Sequence, residues 1–321
     1  MADILAMIGW RLLLGVLTLV AVSVLIFLSV QMLPGDSAEA ILGQSATPET
    51  LAALRRSMNL DVPASVRYFA WIGNLLQGDL GTSLASGRPV SEMLRARLPN
   101  TIFLGAVAAT LATPLSIVLG LVCALYHNRH VDRALNLVAL GASSVPDFFI
   151  AYVLIIVFAV KLMIFPPLSS IGPDMAFATQ LYQSVLPAVT LTLATTAYMM
   201  RMTRASVVSV LSSAYIEMAH LKGLPRPRVI WRHALPNAIG PIANVVALTL
   251  AYLISGVVVI ETVFVYPGLG QLLVDSVSKR DIPVIQVVCM LFATLYILLN
   301  LTADVIATVS NPKMRRRPAT K

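Results

Sequence analysis

Residues 212–237 read SSAYIEMAHLKGLPRPRVIWRHALPN, a polar and basic stretch between two long apolar runs. Lys222 followed by Gly223 is typical of a helix C-terminus, where a cation suits the helix dipole and glycine accepts a left-handed backbone. The two prolines that follow prevent this helix from continuing, and a second short helix is predicted from about Arg228 until Pro236 ends it. The stretch has too few apolar residues to fold alone, so we expect another protein to grip it.

The stretch contains residue types that enzymes use, but their spacing is not catalytic. Glu217, His220 and His233 do not form the His-Glu-x-x-His pattern that holds zinc. The chain also has no Gly-Lys pair, so it lacks the phosphate-binding loop of an ATPase. We interpret Glu217 as a polar contact to a partner or, alternatively, as part of a solvated helix face. No catalytic, cofactor-binding or metal-binding residue is predicted in this chain.

The composition outside this stretch is that of a membrane protein. Of the 321 residues, 58% are hydrophobic and only 12% are charged, and the mean hydropathy of +0.83 excludes an ordinary soluble domain. Cys123 and Cys289 lie in separate apolar runs and are expected to be buried, inert thiols. The net charge of +8 could indicate nucleic acid binding, but its distribution between loops indicates membrane topology instead.

Six apolar runs are long enough to cross a bilayer, for which about 20 residues suffice. They cover residues 8–33, 101–126, 134–165, 185–202, 239–260 and 284–309. Prolines inside several of these runs predict kinks, which membrane helices tolerate when neighbouring groups satisfy the freed carbonyls. The predicted fold class is therefore an all-α membrane protein with six transmembrane helices.

Composition and topology divide the chain into four segments. Residues 1–33 form the first transmembrane helix, 34–100 a helical subdomain whose last short helix is predicted before Pro99, 101–310 the core with five further transmembrane helices, and 311–321 a basic tail. An N-terminus on the inside places most loop lysines and arginines in the cytoplasm. Both termini and a loop at 204–238, which contains the quoted stretch, are then cytoplasmic, and the subdomain faces outward. The tail also suits anionic lipid headgroups.

Several motifs occur together in one order along the chain. The spacing Glu217-x-Ala219-x-x-x-Gly223, with Pro236 thirteen residues after the glycine, resembles the cytoplasmic EAA loop of ABC importer permeases. Further motifs resemble the first of the two paired permease subunits of the dipeptide/oligopeptide/nickel group: Pro34-Gly35-Asp36, Gly78-Asp79-Leu80-Gly81-Thr82-Ser83, Arg97-Leu98-Pro99-Asn100-Thr101, Ser144-Val145-Pro146, Arg232-His233-Ala234-Leu235, Glu261-Thr262-Val263-Phe264 and Pro267-Gly268-Leu269-Gly270. The resemblance covers nearly the whole chain and implies the type I ABC importer permease fold.

The resemblance also implies a set of partners in a bacterial cytoplasmic membrane. These are a homologous permease subunit, two ATP-binding cassette subunits that bind ATP and Mg, and an extracytoplasmic substrate-binding protein. The residues of this chain that match the coupling motif are then expected to contact the ATPases: Tyr215, Glu217, Ala219, Lys222, Gly223, Arg228, Arg232, His233 and Pro236. The chain itself would perform no covalent chemistry.

The transported solute is less closely defined. The resemblance points to dipeptides or oligopeptides, with nickel or another small polar solute as the alternative within the same family. A self-sufficient secondary transporter would instead show an inverted repeat and several charges at the membrane midplane, whereas this chain shows no repeat and few such charges. Asp147 is a candidate for the translocation path, or else a solvated residue near the interface. Asp304, near the end of the last run, is expected to pair with the basic tail.

Overall fold

A computed structural model describes residues 2–32, 47–57, 62–172 and 174–310. Within these ranges the chain is helical, and its only extended pairing is an isolated bridge between Thr82 and Pro89. The predicted all-α fold is thus confirmed. Parts of the predicted 34–100 subdomain and the whole of the 311–321 tail lie outside the described residues.

The helices follow one another with mostly short connections. In chain order they are α1 (Ala2–Gln31), α2 (Pro48–Ser57), α3 (Ala64–Leu76), α4 (Val90–Leu125), α5 (His130–Ser144), α6 (Asp147–Leu154), α7 (Phe177–Gln183), α8 (Val185–Leu211), α9 (Ala214–Leu221), α10 (Arg226–Val229), α11 (Leu235–Val263), α12 (Leu269–Ser278) and α13 (Ile282–Ser310). Wide π-helical turns follow α6, at Ile155–Lys161, and α10, at Ile230–Ala234.

Most of the predicted membrane-crossing runs correspond to long apolar helices. In the described part of the chain four stretches are long and apolar enough to cross a membrane: Ile8–Gln31, Val90–Leu125, Arg232–Val263 and Ile282–Val305. A fifth span is obtained if α5 and α6, which are bent by 100° where Pro146 separates them, count together. The remaining predicted run lies in α8, a helix of 27 residues that is less apolar because it carries several threonines.

One predicted helix boundary is wrong. The sequence predicts a separate short helix before Pro99, whereas α4 continues through this proline without a break. A proline inside a helix removes one hydrogen bond, here the one to the carbonyl of Arg95. Both residues are exposed, so solvent can satisfy that carbonyl, and the helix persists.

The helices form two compact units, of which the first comprises the described residues within Met1–Leu12, Ile102–Tyr266 and Tyr296–Lys321. Here α8 packs along α11, and α6 packs against both. The main core contains the buried side chains of Leu104, Leu186, Leu191, Leu253, Val257, Ile260, Phe264 and Tyr266. Small buried residues such as Ala247 and Ala251 let neighbouring helices approach closely, which is how membrane helices gain packing energy.

The second unit comprises the described residues within Leu13–Thr101 and Pro267–Leu295. Its core is formed by Val90, Leu94, Leu269, Leu272, Val284, Val287 and Val288. The buried carboxylate of Asp281 accepts hydrogen bonds from the Ser83 hydroxyl and from the Leu84 amide, the latter at 3.0 Å. These bonds attach the loop before α4 to the start of α13.

Candidate functional site

The 212–237 loop starts directly after α8, and its first helix, α9, ends at a glycine. Gly223 has a φ of +74°, in the left-handed region that other residues rarely adopt. The Leu224 amide donates to the Ala219 carbonyl at 3.3 Å, five residues back. A left-handed glycine together with this bond is the Schellman motif of helix ends. The predicted termination of the first helix at Gly223 is therefore confirmed.

The second half of the loop differs from the prediction. It becomes helical at Arg226 and passes through the π-helical turn Ile230–Ala234 into α11, so the predicted end at Pro236 is wrong. The wide turn lets the Leu235 amide donate to the Ile230 carbonyl, and Pro236 then occupies the first turn of α11, where proline is tolerated. Helical structure is therefore continuous from the second half of the loop into α11.

A small apolar core attaches the loop to the end of α8. It consists of Ile216, Ala219, Val229 and Ala234, all buried, with Val210 and Leu211 of α8 and Leu224 packed against it. The loop therefore completes its small core with side chains of α8, as expected for a segment too short to fold alone.

The nine predicted partner-contact residues differ in exposure. Ala219 is buried in the loop core and His233 is half-buried. The others are exposed: Tyr215, Glu217, Lys222, Gly223, Arg228, Arg232 and Pro236. Three apolar side chains lie along one side of α9 at a spacing of three residues. They are Tyr215, Met218 and Leu221, which are 45%, 55% and 76% exposed. The loop thus presents an apolar strip beside basic side chains.

Glu217 lies beside this strip, at the edge of a groove. The groove has a volume of about 420 Å³ and is lined by Leu211, Ser212, Glu217 and Leu221. Within the described part of the chain, Glu217 forms no ion pair. Its carboxylate is therefore available to a partner, although a solvated side chain would have the same geometry.

Asp147 lies in the first turn of α6, directly after the bend that separates α5 from α6. Its side chain is half-buried, and it faces Gly256 of α11: a Cβ atom added at Gly256 would lie 3.8 Å from Asp147 Oδ2 and 3.5 Å from Leu191 Cδ2. The carboxylate is thus held where α6, α8 and α11 pack together. Its position on the translocation path stays a prediction.

An ion pair that the sequence did not reveal joins α5 to α8. Arg204 Nε donates to Asp132 Oδ1 at 2.6 Å, and a terminal nitrogen of Arg204 donates to Asp132 Oδ2 at 2.8 Å. Asp132 is only 2% exposed and lies in the first turn of α5, ahead of the predicted apolar run. The hydrogen bonds from Arg204 lower the pKa of Asp132 to about 2, so the carboxylate is ionised at neutral pH. The two residues are 72 positions apart and belong to no shared motif.

Two further predictions concern charged and metal-binding groups. Asp304 pairs with Arg11 of α1 at 2.8 Å, while the tail that was expected to pair with it lies outside the described residues. In the described ranges no group of three or more His, Cys, Asp or Glu side chains is arranged to hold a metal ion.

The sequence matches two family models and several curated proteins. A model described as "Binding-protein-dependent transport system inner membrane component" matches residues 116–316, and one described as "Binding-prot-dependent transport system membrane comp, N-term" matches residues 4–105. Similar proteins include the "Glutathione transport system permease protein GsiC" of Escherichia coli strain K12, of Escherichia coli O6:H1 and of Salmonella choleraesuis. Each is 40% identical over 298 residues, which is 93% of this chain and 95% of the relative.

Proposed function

Because the chain belongs to the inner membrane components of binding-protein-dependent transport systems, the permease subunits of ABC importers, we propose that it forms half of a path for dipeptides or oligopeptides. The other half is a homologous permease subunit. Two ATP-binding cassette subunits bind ATP and Mg and grip the 212–237 loop from the cytoplasm. A substrate-binding protein delivers the solute from the opposite face, and both termini of this chain are cytoplasmic.

The observation that carries this proposal is the construction of the loop. Its exposed residues include the apolar strip on α9 and the basic side chains of Lys222, Arg228 and Arg232, while its buried residues pack against α8. Aromatic, methionine and arginine side chains are the types enriched where proteins bind one another. The loop is therefore suited to be held by a partner on one side and to move with its own helices on the other.

The packing of α8 against α11 supports a mechanism for coupling. The loop connects these two helices, which contact each other along their length and enclose the half-buried Asp147 with α6. Closure of the ATPases around ATP would displace the loop and change the tilt of both helices together. A packed helix pair has few alternative arrangements, so this displacement would switch the path between inward-facing and outward-facing states.

A peptide substrate is consistent with the chemistry around Asp147. The α-ammonium group of a peptide is a cation, and a half-buried carboxylate between packed helices attracts cations more strongly than one in water. The glutathione permeases named above carry a peptide-like solute, which supports the same substrate class for this chain. Selection among peptides would then rest with the binding protein.

The proposal is tested by reconstituting the chain with its homologous permease, ATPases and binding protein in proteoliposomes. We expect ATP-dependent uptake of a labelled dipeptide, and co-purification of the ATPases through the 212–237 loop. Replacing the binding protein by a relative of different specificity that still docks should change the transported solute. Uptake driven by an ion gradient without ATPases would refute the proposal.

A variant pair tests the part assigned to Asp147. Asp147→Asn should lower peptide uptake by about tenfold while the binding protein still stimulates ATP hydrolysis, because docking does not involve this residue. Asp304→Asn is the matched control, since its carboxylate pairs with Arg11 and has no assigned contact with the solute. Equal uptake by the two variants would place Asp147 off the path.

A further inference from the structure

The ion pair between Arg204 and Asp132 is part of a larger set of contacts at one end of α5. The backbone amide of Asn128 donates to Asp132 Oδ2 at 2.9 Å, and the side-chain amide of Asn136 donates to Asp132 Oδ1 at 2.6 Å. A terminal nitrogen of Arg204 also lies 3.0 Å from His127 Nδ1. The buried carboxylate is thus fully satisfied, and the connection between α4 and α5 is held against α8.

A close helix contact next to this pair restricts movement between α4 and α8. A Cβ atom added at Gly120 would lie 2.7 Å from Thr203 Cβ and 2.9 Å from the Met200 carbonyl oxygen, so only glycine fits there. Cys123 of α4 and Ala139 of α5 are buried against Ala197 and Met200 of α8 in the same region. Small side chains at this spacing let the three helices interlock, so that sliding one past another would produce clashes.

The location of this set of contacts relates it to the coupling loop. Arg204 lies seven residues before the end of α8, about 10 Å along the helix axis, and the 212–237 loop follows immediately. At its other end α5 leads to the bend at Pro146 and to Asp147 in α6. A displacement of the loop end of α8 that carries α5 with it would therefore act on the bend.

We propose that Arg204 and Asp132 form a positioning clamp that makes α5 move with α8, so that the motion of the coupling loop reaches the α5–α6 bend and the carboxylate of Asp147. The clamp rests on the proposed function for its purpose. It does not touch the solute, and it does not contact the ATPases. The two parallel hydrogen bonds to Asp132 require the planar guanidinium group of arginine, because lysine offers a single point charge in place of two parallel donors.

The clamp can be tested in the reconstituted complex with variants that keep the fold but weaken the two parallel hydrogen bonds. Arg204→Lys and Asp132→Asn each retain a polar group of similar size and should fold, whereas Arg204→Ala would leave the buried carboxylate of Asp132 without a cation. Arg201→Lys, one turn away on α8, is the matched control, since Arg201 forms no ion pair within the described residues. We expect ATPase co-purification to be unchanged in all three variants. The number of solute molecules transported per ATP should fall about tenfold in the two clamp variants only.

A second measurement does not depend on transport. Spin labels on exposed positions of α5 and α8, at Leu137 and Ser209, report the distance between these helices once Cys123 and Cys289 are replaced by alanine. We expect one narrow distance distribution in the otherwise unchanged chain, with and without ATP, and a broader one in Arg204→Lys.

The two measurements separate the outcomes. If the clamp variants transport as many solute molecules per ATP as Arg201→Lys, or if the distance distribution stays narrow in Arg204→Lys, the clamp is only a local structural contact and the inference is wrong. If the wild-type complex hydrolyses no ATP with its partners, the proposed function fails instead, and the distance distribution still decides whether Arg204 fixes α5 to α8.

Discussion

Replacing Gly223 by valine tests the role of the loop most directly. The backbone of Gly223 has a φ of +74°, and nothing lies within 4 Å of a Cβ atom added there. A substitution would therefore cause no steric clash with neighbours, and its whole cost would come from the backbone conformation. A left-handed backbone costs an ordinary residue ~1–2 kcal/mol, and a β-branched residue lies at the upper end.

A cost of about 2 kcal/mol lowers the ratio of the native loop conformation to its alternatives by about 30-fold. Since the ATPases are proposed to grip the native conformation, their affinity should fall by up to the same factor, and transport should fall with it. Gly223→Asn should lose much less, because asparagine tolerates the left-handed region. Insertion and abundance should not change, because Gly223 lies outside the apolar spans.

The chain contains a matched control for this substitution. Gly78 ends α3 with a φ of +82°, has open space around its Cβ position, and is followed by a bond from the Asp79 amide to the Asn74 carbonyl at 2.9 Å. Gly78→Val should therefore impose the same backbone strain at a site remote in sequence from the loop. The assay is titration of the purified ATPases onto the permease pair, followed by uptake in proteoliposomes. Equal losses from the valine substitutions at Gly78 and Gly223, or none from either, would refute the reasoning.

Three further predictions concern the loop, the topology and the buried ion pair. Glu217→Lys should weaken ATPase binding by about fivefold, since an exposed polar contact contributes up to about 1 kcal/mol; unchanged binding and ATPase stimulation would make Glu217 a solvated residue. Cysteines at the exposed positions Ser86 and Ser278 should react with an impermeant reagent in sealed cells, and a cysteine at Ser212 only after the membrane is opened; early labelling of Ser212 would invert the topology. The pKa of Asp132 is lowered from 3.8 to about 2, so its pairing stabilises the fold fully above about pH 4 and loses this effect as the pH falls towards 2. The amount by which wild type melts above Asp132→Asn should therefore shrink as the pH falls from about 4 to about 2, and an equal difference at both pH values would contradict the assignment.

Some features of the 212–237 loop could be predicted because their causes are local. Gly223 ends a helix since its own backbone and the prolines after it decide the conformation there. The helix ends that were predicted from prolines are wrong where the surroundings of the proline decide the outcome. Pro99 and Pro236 both lie within continuous helical structure, since solvent or a π-helical turn compensates for the missing amide. A proline therefore predicts a lost hydrogen bond, whereas the surroundings decide whether the helix ends.

The sequence by itself determined that this protein is an all-α membrane protein, since the length and apolar character of each span are properties of consecutive residues. It also determined the family, through motifs spread along the chain. Only the tertiary structure decided which charged residues meet. In the sequence Asp132 and Arg204 are ordinary loop charges, and only the packing of α5 against α8 brings them together. Such a pairing depends on the rotation and crossing of helices far apart in the chain, and no pattern of neighbouring residues specifies these.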